Sequence, residues 1–134
     1  MLLAVINGTD IDNLVIETTC KIARHDKEKI TVIYVIAIPR NKPIDQEISF
    51  YTEKGEKSLQ KAEELSQQFK VKIDGQILQA RSRGPSIVNY AKEEGFDMLV
   101  MGINKNKQEG TLPLDADTKY VLANSAAKVI TCRL

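Results

Sequence analysis

Apolar residues follow two patterns that alternate along the chain. Short uninterrupted runs occur at 2–6 and 98–101, and such runs are typical of parallel strands that are buried on both faces. Between the runs lie longer stretches in which apolar residues recur every three or four positions, as in 11–22. This spacing predicts amphipathic helices. The chain is therefore predicted to alternate strands with helices.

Turn residues, glycines and prolines set the predicted ends of these elements. Gly55 lies inside the long second helix and predicts a kink or close packing there. Caps are predicted at Asp10 or Asp12 for the first helix and at Asp117 or Thr118 for the last. The predicted strands are 2–6, 30–38, 71–77, 98–101 and 129–132, and the predicted helices are 11–22, 48–69, 84–95 and 117–123.

The alternating order predicts an α/β fold with a five-stranded parallel sheet and helices on both faces, in one three-layer domain over residues 1–134. Right-handed crossovers favour the strand order 3-2-1-4-5. The first and fourth strands are then neighbours, and a crevice is predicted between Asn7-Gly8-Thr9 and the loop after Gly102. Ligands of open α/β sheets bind at the carboxyl ends of strands, so this crevice is the candidate site.

Composition narrows the range of partners. The formal net charge is +1, so no broad electrostatic field attracts nucleic acid or an anionic membrane. No apolar run approaches the ~20 residues that span a bilayer, and the first residues lack a basic leader, so neither membrane insertion nor secretion is expected. Cys20 and Cys132 fall in apolar patterns and are expected to be buried thiols in a reducing cytoplasm.

Residues suited to catalysis are scarce, and the chain is predicted not to be an enzyme. His25 lies in a polar stretch, and no Ser or Cys lies in a nucleophile-elbow motif. No third or fourth ligand accompanies His25 and the two cysteines at metal spacing. Arg81 and Arg83 beside the Gly84-Pro85 helix start suggest an anion site, but surface pairing with Glu93 or Glu94 is the favoured interpretation.

The sequence resembles the universal stress protein family along its whole length. LAVINGT at 3–9 is similar to that family's first strand and turn, and IYVI at 33–36 to its second strand. GPSI at 84–87, followed by EEGFDMLVMG at 93–102, is the most specific match, and AAKVI at 126–130 fits the closing strand. The resemblance implies a Rossmann-like, adenine nucleotide alpha hydrolase-like fold and a stress-response role.

The family's nucleotide-binding branch carries a glycine signature after the fourth strand, and this chain departs from it. Gly102 matches the first position, whereas Lys105, Asp115 and Ala116 stand where two glycines and a hydroxyl residue occur in the signature. Asn7 replaces the acid that ends the first strand. Carboxylates at the last helix start would compete with a phosphate, at roughly 3 kcal/mol for charges about 5 Å apart, or on the order of a hundredfold in affinity.

The resemblance and the preceding features together predict a dimeric, non-catalytic cytoplasmic signalling or stress-response module. The departures from the signature predict weak or no ATP binding, and no cofactor is firmly expected. One alternative is an adenine-nucleotide sensor that binds ATP or AMP in a modified pocket, with the backbone of Val35 and Met101 contacting adenine and Lys105 contacting phosphate. Another alternative is a cytoplasmic regulatory domain of a membrane transporter. The candidate binding residues are Ile6, Asn7, Thr9, Val35, Met101, Gly102 and Lys105.

The final strand is the predicted site of self-association. It would lie at the sheet edge with unpaired backbone groups and without Pro or a central charge, a combination that favours pairing with a second copy. The family resemblance implies the same contact. A two-fold homodimer is therefore predicted through Val129, Ile130, Thr131 and Cys132.

Overall fold

A computed structural model gives the fold and describes residues 1–103 and 114–134. All strand pairings are parallel, and the five strands lie in the order β3-β2-β1-β4-β5. The predicted fold class and strand order are confirmed. The elements are β1 (Leu2–Ile6), α1 (Ile11–Asp26), β2 (Ile30–Ala37), α2 (Ser49–Gln68), β3 (Ile73–Ala80), α3 (Arg83–Glu94), β4 (Met98–Ile103), α4 (Ala116–Asn124) and β5 (Lys128–Arg133).

Two apolar clusters sandwich the sheet. Ala4 and Ile6 of β1 belong to the cluster under α1 and α2, whereas Leu3 belongs to the cluster under α3 and α4. Leu3 and Ala4 are both fully buried. Because successive side chains of a strand point to opposite faces, a central strand covered on both sides has to be apolar at every position. This is why an uninterrupted apolar run marks β1 in the sequence.

The third strand begins and ends later than predicted. The amide of Val71 donates to Ser66 O at 3.1 Å, so Val71 belongs to the turn that closes α2. At the other end, Ile38 N donates to Ala80 O at 2.8 Å and prolongs the pairing with β2. The strand therefore runs over Ile73–Ala80, since the closing turn of α2 uses the first apolar residues of the expected strand.

Glycine at position 55 serves close packing. A Cβ built on Gly55 would lie 2.9 Å from Cδ1 of Tyr34, so any larger residue would push α2 away from β2. Gly55 is buried within a helix that continues without interruption on both sides. Of the two expectations for this position, close packing is the one that the structure contains.

Helix ends differ from the predictions in detail. His25 lies in the last turn of α1, and α3 begins at Arg83, ahead of Gly84-Pro85. Gly95 ends α3 in a left-handed conformation with φ 76°, where glycine has no steric penalty. In the described residues, no helix combines the length and the apolar character that crossing a membrane requires.

Candidate functional site

A cleft lies at the carboxyl ends of β1 and β4, at the point where the strand order reverses. Its volume is about 60 Å³ as bounded by the described residues, well below the roughly 300 Å³ at the small end of ligand pockets. Its floor is apolar and its rim is polar. The floor consists of Val5, Ile6, Ile11, Val35, Ile87, Met101 and Gly102, and the rim of Asn7, Asp12, Arg83, Asp115, Asp117 and Thr118.

Most of the predicted binding residues meet in this cleft. Ile6, Asn7, Val35, Met101 and Gly102 all line it. Thr9 instead lines a neighbouring groove between α1 and α2, and its hydroxyl donates to Asn7 Oδ1 at 2.6 Å. Lys105 lies outside the described residues. That these seven predicted residues contact a nucleotide remains a prediction.

The β1–α1 turn is held by a carboxylate of the helix that follows it. Asp12 Oδ1 accepts from Asn7 N at 3.0 Å, and Asp12 Oδ2 accepts from Gly8 N at 2.8 Å. Gly8 has φ 80°, a conformation that favours glycine. Asp10 occupies the N-cap position of α1, as predicted, but its side chain makes no cap bond there. Asp12 reaches backwards instead and fixes the turn.

Burial raises the pKa of Asp12 from its ordinary value of 3.8, and N–H donors at Asn7, Gly8 and Thr9 together with the charge of Lys54 lower that pKa in part. The carboxylate therefore sits in a partly desolvated position, compensated by hydrogen bonds. Donors of this kind at a turn form an anion site. Here the occupant is the protein's own side chain.

The start of α4 is closed in the same manner. Asp115 is the N-cap residue, and its Oδ1 accepts from Thr118 N at 2.7 Å. The caps predicted at Asp117 and Thr118 are therefore wrong for this helix. The competition that the sequence predicts between Asp115 and a phosphate has a physical basis, because Asp115 accepts one of the free N–H groups of the helix start.

Asp117 caps a different helix. It lies in the first turn of α4, but its Oδ1 accepts from Gly84 N at 2.9 Å in the first turn of α3. A Cβ on Gly84 would lie 3.2 Å from Asp117 O and 3.3 Å from Asp117 Cα. Glycine at 84 therefore allows the two helix starts to approach each other, and the carboxylate joins them.

Arg83 crosses the cleft towards β2. Its Nε donates to Val35 O at 3.1 Å, so an arginine already binds the backbone of Val35, one of the two residues whose backbone the sensor hypothesis assigns to adenine. Arg81 binds the chain after β2, donating from Nη1 to Pro39 O at 2.5 Å and to Lys42 O at 2.7 Å.

The favoured interpretation of these two arginines was therefore wrong. None of the described ion pairs joins either arginine to Glu93 or Glu94, because backbone carbonyls take their guanidinium groups. These bonds also leave the predicted anion site at Gly84-Pro85 without Arg81, and Gly84 N already has the Asp117 carboxylate.

Glycine at position 102 has a packing role that the sequence did not reveal. A Cβ there would lie 2.5 Å from Cγ1 and 2.7 Å from Cγ2 of Ile11, distances that no real Cβ contact tolerates. The glycine thus lets α1 lie against the end of β4. Its presence needs no bound phosphate.

The cleft has two walls. The first wall comprises the β1–α1 turn, Asp12 and the contact of Ile11 with Gly102, and the second comprises Asp115, Asp117 and Arg83 at the starts of α3 and α4. The lining of the cleft contains three carboxylates and one guanidinium, and each carboxylate binds a backbone N–H. In the part of the chain that the structure describes, no group of three or more His, Cys, Asp or Glu side chains is placed to hold a metal ion.

Several of these contacts escaped the sequence analysis. The Asp117–Gly84 bond joins residues 33 positions apart, and no local pattern reports such a contact. The position of Asp12 four residues after Gly8 is a spacing at which an aspartate side chain can bond back to the preceding backbone, and this signal could have identified the contact. The Ile11–Gly102 contact also depends on tertiary packing alone.

The fold and cleft together define a class of protein: a doubly wound α/β domain with its candidate site at the switch point of a parallel sheet. The model of the Universal stress protein family matches residues 1–133. The chain therefore belongs to the universal stress protein family. No curated protein matches it.

Solved structures share this fold at low sequence identity. A universal stress protein from Archaeoglobus fulgidus is 18% identical with a TM-score of 0.81, over 97% of this chain and 96% of that one. The structure of the universal stress protein from this organism in complex with dAMP is 15% identical with a TM-score of 0.76, over 97% of this chain and 94% of that one. A universal stress protein family protein from Arabidopsis thaliana with AMP bound is 17% identical with a TM-score of 0.68, over 98% of this chain and 90% of that one.

Proposed function

We propose that this universal stress protein is a dimeric, non-catalytic signalling or stress-response module of the cytoplasm that binds ATP weakly or not at all. The observation that supports weak ATP binding is that backbone N–H groups around the cleft already donate to carboxylates of the protein. At the β1–α1 turn and at the starts of α3 and α4, a carboxylate of the chain itself accepts from the N–H groups. The anion sites around the cleft are thus occupied by the protein.

Electrostatics opposes a triphosphate in this cleft. A phosphate at a helix start uses free N–H groups and the positive end of the helix dipole. Asp115 accepts from one N–H group at the start of α4 and Asp117 from one at the start of α3. Each fixed carboxylate about 5 Å from a phosphate costs roughly 3 kcal/mol at an effective dielectric near 20. One such charge lowers affinity on the order of a hundredfold.

Titration calorimetry tests this proposal directly. ATP is titrated, with and without Mg²⁺, into the wild type and into the variant Asp115→Asn/Asp117→Asn. The amide oxygens of this variant can still accept from Thr118 N and Gly84 N while both charges are removed, so we expect wild-type affinity weaker than about 1 mM and a gain of at least about tenfold in the variant. Asp74→Asn, at an exposed position of β3, is the control and leaves affinity unchanged. Micromolar binding of ATP by the wild type would contradict the proposal.

The sensor hypothesis has a specific observation in its favour, since the related structures contain dAMP and AMP. A monophosphate brings less charge to Asp115 and Asp117 than a triphosphate does. The sensor hypothesis therefore predicts AMP binding at micromolar concentration with ATP much weaker, whereas the module without a nucleotide predicts neither. The same calorimetric series with AMP separates the two. The transporter-domain hypothesis is tested by reading the full-length coding frame.

Self-association is proposed through β5, because this strand is one edge of the sheet. Antiparallel pairing with a second copy, centred between Ile130 and Thr131, would set Lys128 opposite Arg133 of the partner. Like charges opposite each other disfavour pairing, and salt screens them. Sedimentation at micromolar concentration should therefore show a dimer that tightens as ionic strength rises. A monomer at every salt concentration would refute the dimer.

A further inference from the structure

The other edge of the sheet is open along part of its length. β3 pairs with β2 alone among the strands of the described residues. Ala80 O accepts from Ile38 N, so the backbone groups of Ala80 face inward towards the preceding chain. Backbone groups of successive residues alternate in direction along a strand. Gly75 and Ile77 therefore direct their N–H and C=O groups outward, away from the sheet.

The open part of this edge has a defined length. Gln79 Nε2 donates to Ile44 O and to Gln46 O, each at 3.0 Å, so the chain before α2 lies against the carboxyl end of β3. Residues 73–77 remain open, and at about 3.4 Å per residue they offer roughly 17 Å of strand. That length suits an added strand of about five residues.

A groove runs beside this open edge. It has a volume of about 270 Å³ and lies between α2 and β3, with Leu59, Ile73 and Gly75 among its lining residues. Gly75 has no side chain to cover Leu59, and a Cβ there would lie 3.3 Å from Leu59 Cδ2. The outward backbone groups therefore adjoin an apolar floor, which a side chain of an added strand can cover.

The charges around the edge select the occupant. Glu56 and Glu63 line the groove from α2, and Asp74 is exposed on the opposite face of the strand. Lys70 and Lys72 are basic residues just before the amino end of the edge, so the three carboxylates outnumber the nearby ammonium groups. The long apolar stem of a lysine covers apolar surface while its ammonium group stays exposed, so an incoming lysine can lie on Leu59 and reach a glutamate.

From these observations we propose that the edge formed by residues 73–77 binds an extended, basic segment of a partner protein as an additional strand. Addition of a strand to a sheet edge gives affinity through main-chain hydrogen bonds and specificity through alternate side chains. Pairing of this edge with the same edge of a second copy is disfavoured, because it would bring Glu56, Glu63 and Asp74 near their own copies. The groove beside this edge and the cleft share no lining residue.

A fluorescein-labelled heptapeptide of alternating Lys and Val tests the proposal by fluorescence anisotropy. We expect saturable binding to the wild type at 0.15 M salt, weakened by at least about tenfold in Glu56→Lys/Glu63→Lys. Glu53→Lys/Glu64→Lys carries the same charge change at exposed positions of the same helix outside the groove, and should bind within about twofold of the wild type. A peptide of alternating Glu and Val should not bind.

Amide hydrogen exchange then distinguishes strand addition from charge attraction alone. The amides of Gly75 and Ile77 should exchange at least about tenfold more slowly with the basic peptide bound, since the peptide gives them acceptors. Binding that leaves these two amides unprotected would overturn the proposal. Equal binding of the acidic peptide, or no binding of the basic one, would overturn it as well. Assembly of the protein beyond a dimer that is lost in Glu56→Lys/Glu63→Lys would identify a second copy as the occupant and would also overturn it.

Discussion

The two walls of the cleft are closed by the same chemistry over different distances along the chain. In the first wall Asp12 accepts from N–H groups four and five residues away, within one turn and the helix that follows. In the second wall Asp117 accepts from Gly84, 33 residues away on another helix. The first wall combines a local carboxylate contact with the tight packing of Ile11 on Gly102, whereas the Asp117–Gly84 bond of the second wall depends on how two helices dock. We therefore expect the first wall to be the more stable of the two.

Disrupting the packing contact of the first wall should cause the largest loss of unfolding free energy. Gly102→Ala would place a Cβ 2.5 Å from Ile11 Cγ1, and overpacking of this kind costs about 3 kcal/mol of unfolding free energy. Urea denaturation measures the loss. Gly75→Ala is the matched control in a strand, because its Cβ would meet only the flexible end of Leu59 at 3.3 Å.

A double mutant tests whether Ile11 causes this cost. Ile11→Ala removes both Cγ1 and Cγ2 from the contact, so Gly102→Ala should cost less in that background than in the wild type. A coupling energy above about 0.5 kcal/mol would indicate direct interaction of the two residues. Additive effects would mean that the strain at position 102 arises elsewhere.

The carboxylate of the first wall should give the next largest effect. Asp12→Ala leaves the N–H groups of Asn7 and Gly8 without their acceptor, and unsatisfied half-buried donors cost about 2 kcal/mol. The loss should appear in the urea midpoint, and amide exchange of Asn7 and Gly8 should accelerate. Unchanged exchange at these amides would show that the turn holds its shape without the carboxylate.

Removing the caps of the second wall one at a time should lower the unfolding free energy by less than Asp12→Ala does. Asp115→Ala and Asp117→Ala each remove one hydrogen bond at a helix start, which costs about 1 kcal/mol. The two variants should differ in which backbone amides exchange faster. Asp115→Ala should accelerate amide exchange at Thr118, in the same helix, whereas Asp117→Ala should accelerate it at Gly84, across the interface of α3 and α4. Acceleration confined to α4 in both variants would refute the bridging role of Asp117.

The same difference in distance explains what the sequence could predict. Apolar runs identified β1 and β4, and the alternation of strands and helices with the rule for crossovers gave the order of the sheet, since these depend on local pattern and general handedness. The crevice followed from that order, and five predicted residues line it. The Arg83–Val35 bond and the Asp117–Gly84 bond were missed because each joins side chain to backbone across elements that only tertiary packing brings together.

The smallest effect we predict is a pH dependence that belongs to the first wall. Burial raises the pKa of Asp12 above 3.8 in the folded protein, so the folded state binds its proton more tightly than the unfolded chain does. The stability that this proton contributes is fully present below pH 3.8 and is lost as pH rises through the folded pKa. As pH rises through that interval, the unfolding free energy of the wild type should therefore fall relative to that of Asp12→Asn, which has no proton to lose at this position. Lys54 lowers the pKa of Asp12 in the folded protein, so Lys54→Met should raise the upper end of this pH interval and leave its lower end unchanged. Urea midpoints measured from pH 3 to pH 7 decide this, and a shift in the opposite direction would mean that the hydrogen bonds of Asn7 and Gly8 outweigh burial at this carboxylate.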